Sequence, residues 1–163
     1  MKVVFCHGLE GSPQGRKAQA LRAAGLDLVA PDFTGMTLEA RVATLLPELA
    51  AHDGCVLVGS SYGGLAALCG SILHVRAGGS VRGLVLCAPA LIVEEPPASA
   101  LDLAPPCPTV VIHGRHDELI PVAAVEAWAA AHPRVRLEVV DDAHVLARSM
   151  DRIVAAARAL IAG

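Results

Sequence analysis

The sequence predicts an α/β fold: a three-layer α/β/α sandwich on a six-stranded, mainly parallel sheet. Three observations carry that prediction. Short apolar runs alternate with segments of helical period along the whole chain, the pattern of strands joined by right-handed helical crossovers. The composition is 54% hydrophobic but includes only two Phe, one Tyr and one Trp, so the core must be built from Val, Leu, Ile and Ala, as in a sheet covered on both faces. The stretch Val58 to Gly64 reads as the end of a strand, a tight turn and the start of a small-residue helix. At 163 residues the chain fits a single domain, residues 1–163, able to bury roughly two thirds of its unfolded surface without disulfide or metal staples.

Val3 to Cys6 forms the first strand. Three glycines and a proline between His7 and Gly15 make a loop, and a helix from about Gln14 to Ala24 turns Ala18 and Leu21 inward. Leu26 to Ala30 is the second strand, closed by Pro31-Asp32. Thr37 caps a helix whose apolar residues Leu38, Val42, Leu45, Leu46 and Leu49 follow a 3.6-residue period, with Pro47 expected to bend or split it. The third strand and the turn follow, then a helix to about His74. Gly83 to Cys87 is the fourth strand. Ala88 to Pro108 is irregular and proline-rich, too short for a folded lid. Thr109 to His113 is the fifth strand, Pro121 opens a helix carrying Val122, Val125 and Trp128, Val135 to Val140 is the sixth strand, and the last helix runs from about Val145 to Ile161. With strand order 2-1-3-4-5-6, strands 1 and 3 flank a topological switch point, the crevice where open α/β sheets bind ligands. The loops His7 to Ser12 and Gly59 to Gly63 then meet there.

Gly59, Ser61 and Gly63 match GxSxG, in which a serine sits on a strained strand-to-helix turn while the glycines let neighbouring backbone pass close. Ser61 is the candidate nucleophile. Ser60 lacks the flanking glycines, having Val58 and Tyr62 in their place. A serine hydroxyl needs a base to take its proton, and that base needs a third group to fix its tautomer. His144, at the end of the sixth strand, is the candidate base. His113 lies inside a strand, His52, His74 and His132 lie near helix ends, and His116 is too close to Asp117 to be its partner. Asp117, just past the fifth strand, is the candidate acid, with Glu94 or Glu95 as substitutes and a helix-capping acid as the plain alternative. Two backbone amides must meet the developing oxyanion. Tyr62 heads its helix and supplies one, and Leu9, after the His7-Gly8 turn, supplies the other.

With Ser61, Asp117 and His144 in the order nucleophile, acid, histidine, the chain resembles the α/β-hydrolase superfamily over essentially its whole length. Its His7-to-Lys17 opening, HGLEGSPQGRK, is similar to that of small bacterial esterases of the YqiA-like type. The resemblance implies a minimal, lidless fold without the superfamily's usual first two strands, and a serine hydrolase that cleaves esters or thioesters of short acyl groups through an acyl-enzyme. A catalytically silent binding module on the same fold, or a peptidase or C–C hydrolase with the same triad, are the rival readings.

The net charge is −3 and the two Lys and 11 Arg are scattered, which argues against a nucleic-acid partner. The uncharged stretch Gly54 to Val75 is long enough to span a bilayer, but five glycines and three serines within it favour a buried strand and helix over a membrane segment. Five cysteines, three of them in apolar strand-like runs, suit buried thiols rather than a disulfide framework. The apolar run at the N-terminus is too short for a signal peptide and lacks a cleavage site, so no signal peptide is expected and the expected location is the cytoplasm. No metal-ligand spacing, phosphate loop or dinucleotide fingerprint appears, so no cofactor and no metal are expected. The expected partner is a small-molecule ester or thioester, and the protein a monomer or homodimer. Glu10, Gln14, Lys17 and Asp32 stand at strand ends facing the crevice, with a solvated role as the alternative for each.

Overall fold

In a computed structural model describing residues 1–163, strands and helices alternate as β1 (Val3–Cys6), α1 (Arg16–Ala23), β2 (Leu28–Val29), α2 (Leu38–Ala51), β3 (Val56–Ser60), α3 (Tyr62–Arg76), β4 (Gly83–Cys87), β5 (Thr109–Gly114), α4 (Val122–Ala130), β6 (Val135–Val140) and α5 (Met150–Ala162). The sheet has the order β2-β1-β3-β4-β5-β6, and every neighbouring pair is parallel.

The two-residue period of the strands divides the core. Val4, Cys6, Leu57, Leu84, Leu86 and Val111 face α2, α3 and α4 through Leu45, Leu49, Leu68, Ile72 and Val125. The alternate residues Val3, Phe5, Val58, Val85, Cys87, Val110 and Ile112 face α1 and α5 through Ala18, Leu21, Ile153, Ala156 and Ala157. Strands buried on both sides must be apolar at every position, which is why β3, β4 and β5 lack polar alternation. The uncharged stretch that begins at Gly54 forms β3 and α3. α3 is buried on nearly all sides, as a helix apolar all round must be. No helix is long and apolar enough to cross a membrane.

Three element boundaries differ from the sequence reading, and one helix stays whole where a break was expected. α1 starts at Arg16, not near Gln14, because Ser12 holds the preceding turn through the Gly15 amide at 3.0 Å and the Gln14 amide at 3.2 Å. β2 contracts to two residues; it is an edge strand, and Pro31, two residues past its end, has no amide to donate. α5 starts at Met150, five residues late, because Asp142 to Ser149 is a hydrogen-bonded loop. α2 is not split at Pro47. Leu45 and Leu49 seat on Gly70 of α3, where a Cβ would stand 2.7 Å from Leu45 Cδ2. Helix packing therefore outweighs the missing amide.

Pro47 is exposed within a continuous helix. Replacing it with Ala restores a donor to the Ala43 carbonyl, at some cost in unfolded-chain entropy. Pro47→Ala is expected to raise stability by about 1–2 kcal/mol, read as a higher melting temperature. A lower one would show that α2 needs the proline.

Candidate active site

The strand-to-helix turn between β3 and α3 places Ser61 at φ 54° and ψ −118°, a left-handed backbone that costs a non-glycine residue of order 1–3 kcal/mol. Neighbours hold it there. The Ser61 amide donates to the Cys87 carbonyl at 2.8 Å, and the Ser61 carbonyl accepts from the Gly64, Leu65 and Ala90 amides at 2.9, 3.2 and 3.1 Å. Both glycines of the motif are required sterically. A Cβ on Gly59 would lie 2.6 Å from Gly64 Cα, and one on Gly63 would run into the carbonyl oxygens of Cys6 and His7.

His144 reaches this turn from the loop after β6. Its Nδ1–H donates to Asp117 Oδ2 at 2.7 Å, and its Nε2 accepts from the Ser61 hydroxyl at 2.9 Å. The carboxylate fixes the donor and acceptor assignment, since an ionised Asp117 can only accept. Asp117 is fully buried at its side chain. Burial alone would raise its carboxyl, but the amides of Ile120 and Leu119, at 2.8 and 2.9 Å, together with His144 outweigh it and hold the group below the usual carboxylate range. Of the other acids, Glu95 accepts from the Tyr62 hydroxyl, and Asp141 pairs with His116 at 2.8 Å. His113 is buried in β5 and donates from Nε2 to the Ile120 carbonyl at 2.9 Å, with Asp117 Oδ2 at 3.4 Å.

Asp142 builds the loop that carries His144. Its Oδ1 accepts from the Ala143 amide at 2.8 Å, and its Oδ2 accepts from the Arg148 amide at 2.8 Å and the Ser149 hydroxyl at 2.9 Å. Burial again pushes the carboxyl up, and these hydrogen bonds bring it below its ordinary value. Leu146, fully buried at φ 53°, anchors the same loop.

On the other side of Ser61 lies the loop after β1. A Cβ on Gly8 would lie 3.5 Å from Ser61 Cβ, so this loop runs directly beside the candidate nucleophile. His7 is buried and accepts the Phe33 amide on Nε2 at 2.9 Å while its Nδ1–H donates to the Gly8 carbonyl at 2.8 Å. Arg41, 0% exposed, donates to the His7 carbonyl at 2.6 Å and the Met36 carbonyl at 3.3 Å. Its guanidinium carbon lies 4.9 Å from the Tyr62 ring centre and 5.6 Å from that of Phe33, within cation–π range. The Gly64 and Leu65 amides are satisfied by Ser61. That leaves the Tyr62 and Gly63 amides at the head of α3 as the free donors that every helix start presents.

The cleft between these loops has a volume of about 480 Å³ and is lined by Ser61, His144, Leu9, Glu10, Arg16 and Lys17 among others. Of the four residues expected at the crevice, Glu10 and Lys17 line it, while Gln14 and Asp32 do not. The Gln14 carbonyl accepts from the Gln19 side chain, and Asp32 is turned to Thr34. All five cysteines are buried and unpaired, and burial pushes Cys6 up to about 12 and Cys87 to about 11, so their thiols are protonated at neutral pH. No group of three or more His, Cys, Asp or Glu side chains is gathered as a metal site. Sequence reading missed Arg41 and Asp142. Arg41 falls on the same helical face as Leu45 and Leu49, and a charge at an inward position was the available signal. Asp142 had none, because two of its three partners are backbone amides and the third is the hydroxyl of Ser149.

Two measurements test this framework. Arg41→Met leaves the His7 and Met36 carbonyls without their donors and is expected to cost about 2–3 kcal/mol of stability; an unchanged denaturation midpoint would remove Arg41 from the framework. Asp142 has a depressed folded carboxyl, so its contribution is present above the unfolded value near 4 and is lost as pH falls through the lower folded value. The stability gap between wild type and Asp142→Asn should therefore be full at neutral pH and shrink as the acid limb is approached. A gap that widens on acidification would reverse the assignment.

No protein-family model matches the chain, and no curated protein does. Solved structures do. An alpha/beta-superfamily protein from Xanthomonas campestris is 31% identical, with 99% of this chain and 98% of that one aligned at a TM-score of 0.84. Est1E from Butyrivibrio proteoclasticus, at 16% identity and TM-score 0.82 over 99% of this chain and 88% of that one, shares the fold. So does a thermophilic esterase from Thermogutta terrifontis, at 18% identity and TM-score 0.73 over 99% and 89%. Identity above the level at which fold alone is shared, over nearly the full length of both chains, makes this chain a member of the alpha/beta hydrolase superfamily.

Proposed function

We propose that the protein is a serine hydrolase that cleaves carboxylic esters or thioesters of short acyl groups through an acyl-enzyme on Ser61. The observation that carries this reading is a single imidazole engaged at both nitrogens: His144 with the Ser61 hydroxyl at 2.9 Å and with the Asp117 carboxylate at 2.7 Å. Ser61 Oγ attacks the acyl carbon as its proton passes to His144 Nε2, and Asp117 stabilises the imidazolium. The oxyanion forms against the amides of Leu9 and Tyr62, each worth roughly 3–4 kcal/mol. The C–O or C–S bond then breaks and His144 returns the proton to the departing alkoxide or thiolate. Water adds to the acyl-enzyme, giving its proton to Nε2, and expulsion of the acid regenerates the Ser61 hydroxyl.

Short acyl groups suit the cleft because the connection from Ala88 to Pro108 carries only one short 3₁₀ turn, Ala98–Ala100, and encloses little apolar space over Ser61. Five buried, unpaired thiols are consistent with a reducing compartment, and we place the protein in the cytoplasm as a single-domain monomer or homodimer with no nucleic-acid partner.

The reading is tested with p-nitrophenyl acetate or butyrate and a fluorophosphonate probe. Turnover and covalent labelling at Ser61 are expected, with a loss of up to roughly a million-fold in kcat for Ser61→Ala. Folded protein that neither turns over nor labels would favour a silent binding module. Asp117→Asn should lower kcat by about 10⁴-fold while Glu95→Gln leaves the triad hydrogen bonds in place. The reverse ranking would move the acid's role to Glu95.

A further inference from the structure

Two cations that line the cleft have no carboxylate within ion-pair distance. Arg16 and Lys17 both line the cavity that holds Ser61 and His144. Neither belongs to any ion pair; the Lys and Arg residues that do are Lys2, Arg136, Arg148 and Arg152. The Lys17 ammonium makes one hydrogen bond, to the Val145 carbonyl at 2.7 Å, which leaves two of its three N–H donors free. The only carboxylate in the lining is Glu10, which pairs with neither cation. Both cations also open α1, which has no acidic residue in its first turn, although a helix start favours anions over cations.

Resting on the reading of Ser61 as nucleophile, we propose that the cleft prefers esters or thioesters bearing a carboxylate or comparable anion, held by Arg16 and Lys17, over neutral ones of the same length. A cavity of about 480 Å³ admits a small substrate whole, so a carbonyl at Ser61 and an anion a few bonds away occupy it together. Arg16 offers a planar fork matched to a carboxylate. Lys17, tied to the carbonyl of the residue after His144, presents its charge from a fixed point beside the base. Burial lowers the Lys17 ammonium, and an anion at this position would offset that cost. Glu10 repels a second negative charge, which limits the preference to substrates with one. The anion can sit on the acyl side or on the leaving side of the scissile bond, and the two are separable by experiment.

On the acyl side, p-nitrophenyl hemiglutarate is compared with p-nitrophenyl pentanoate. On the leaving side, 3-(acetylthio)propanoate is compared with S-propyl thioacetate, the released thiol being read with a disulfide dye. At low salt one anionic substrate is expected to exceed its neutral counterpart in kcat/KM by about tenfold. The ratio should shrink in about 0.5 M NaCl, where exposed charges are screened. It should fall in Arg16→Gln and Lys17→Gln, persist in Lys17→Arg, and rise in Glu10→Gln, with melting temperatures confirming that each variant is folded. Both ratios at or below one in the wild type, or a ratio above one that Arg16→Gln and Lys17→Gln leave unchanged, would overturn the inference while neutral-ester turnover kept the hydrolase reading. Absence of turnover on every substrate, with no labelling of Ser61, would remove both together.

Discussion

Everything at this site depends on how close the head of α3 comes to the end of β1. The Gly63 backbone lies against the carbonyls of Cys6 and His7, in a space that a Cβ would fill. That approach brings the loop after β1 to the side of Ser61, and only there can its amides face a group attached to the Ser61 oxygen. The parallel register, with Cys6 opposite Gly59, sets both loops at one level of the sheet. The order β2-β1-β3 then separates the crossovers that leave β1 and enter β3, opening the crevice above them. The glycine thus acts on function through topology, by removing volume where two chain segments must nearly touch.

The loop on the far side of that contact is fixed from behind. Arg41 spans from α2 to the His7 carbonyl and is flanked by the rings of Tyr62 and Phe33. A buried cation with no carboxylate partner is costly unless its donors are satisfied. Here backbone carbonyls and aromatic faces satisfy them, while burial lowers its guanidinium. Arg41 does not itself line the cleft, so it bears on the site only through where it holds His7 and Gly8. Tyr62 extends the arrangement, because its ring lies under Arg41 and its hydroxyl donates to Glu95 in the β4–β5 connection. One buried charge therefore links three segments that converge on Ser61.

Much of this was legible in the sequence, for identifiable reasons. β1 and β4 end where their apolar runs end, because each is buried at every position and a strand covered on both faces is apolar throughout. The trio Ser61, Asp117 and His144 was legible because each follows a strand at the same edge of a parallel sheet, so topology alone brings them together. The start of α5 was not legible: Leu146 and Met150 stand four apart and imitate a helical face, yet Leu146 is buried at φ 53° inside a loop. The split expected at Pro47 does not occur, since a local helix breaker says nothing about the Leu45 and Leu49 contacts on Gly70 that hold α2 together. Arg41 was hidden by the habit of reading charge as solvent-facing. Gln14 and Asp32 illustrate a limit of strand-end reasoning, because standing near a crevice does not decide which way a side chain turns.

Backbone strain in this molecule gathers at the same edge as the chemistry. The three non-glycine residues with positive φ are Ser61, Ala88 and Leu146: the first two directly follow β3 and β4, and the third lies in the loop after β6. The first two are also coupled. The Ala88 amide donates to Ile112 in β5, while the neighbouring Cys87 carbonyl accepts from Ser61 and the Ala90 amide returns to the Ser61 carbonyl. The β4 end and the candidate nucleophile thus hold each other in conformations that neither would adopt alone. On the His144 side the strained Leu146 closes a loop whose amides Asp142 gathers. Strain of this kind persists only where the surroundings over-determine it: backbone hydrogen bonds to adjacent strands do so at Ser61 and Ala88, and the Asp142 carboxylate does so around Leu146. The sheet interior stays regular as a result, and a hydroxyl, an imidazole and a carboxylate from three separate loops meet without any strand giving up its register.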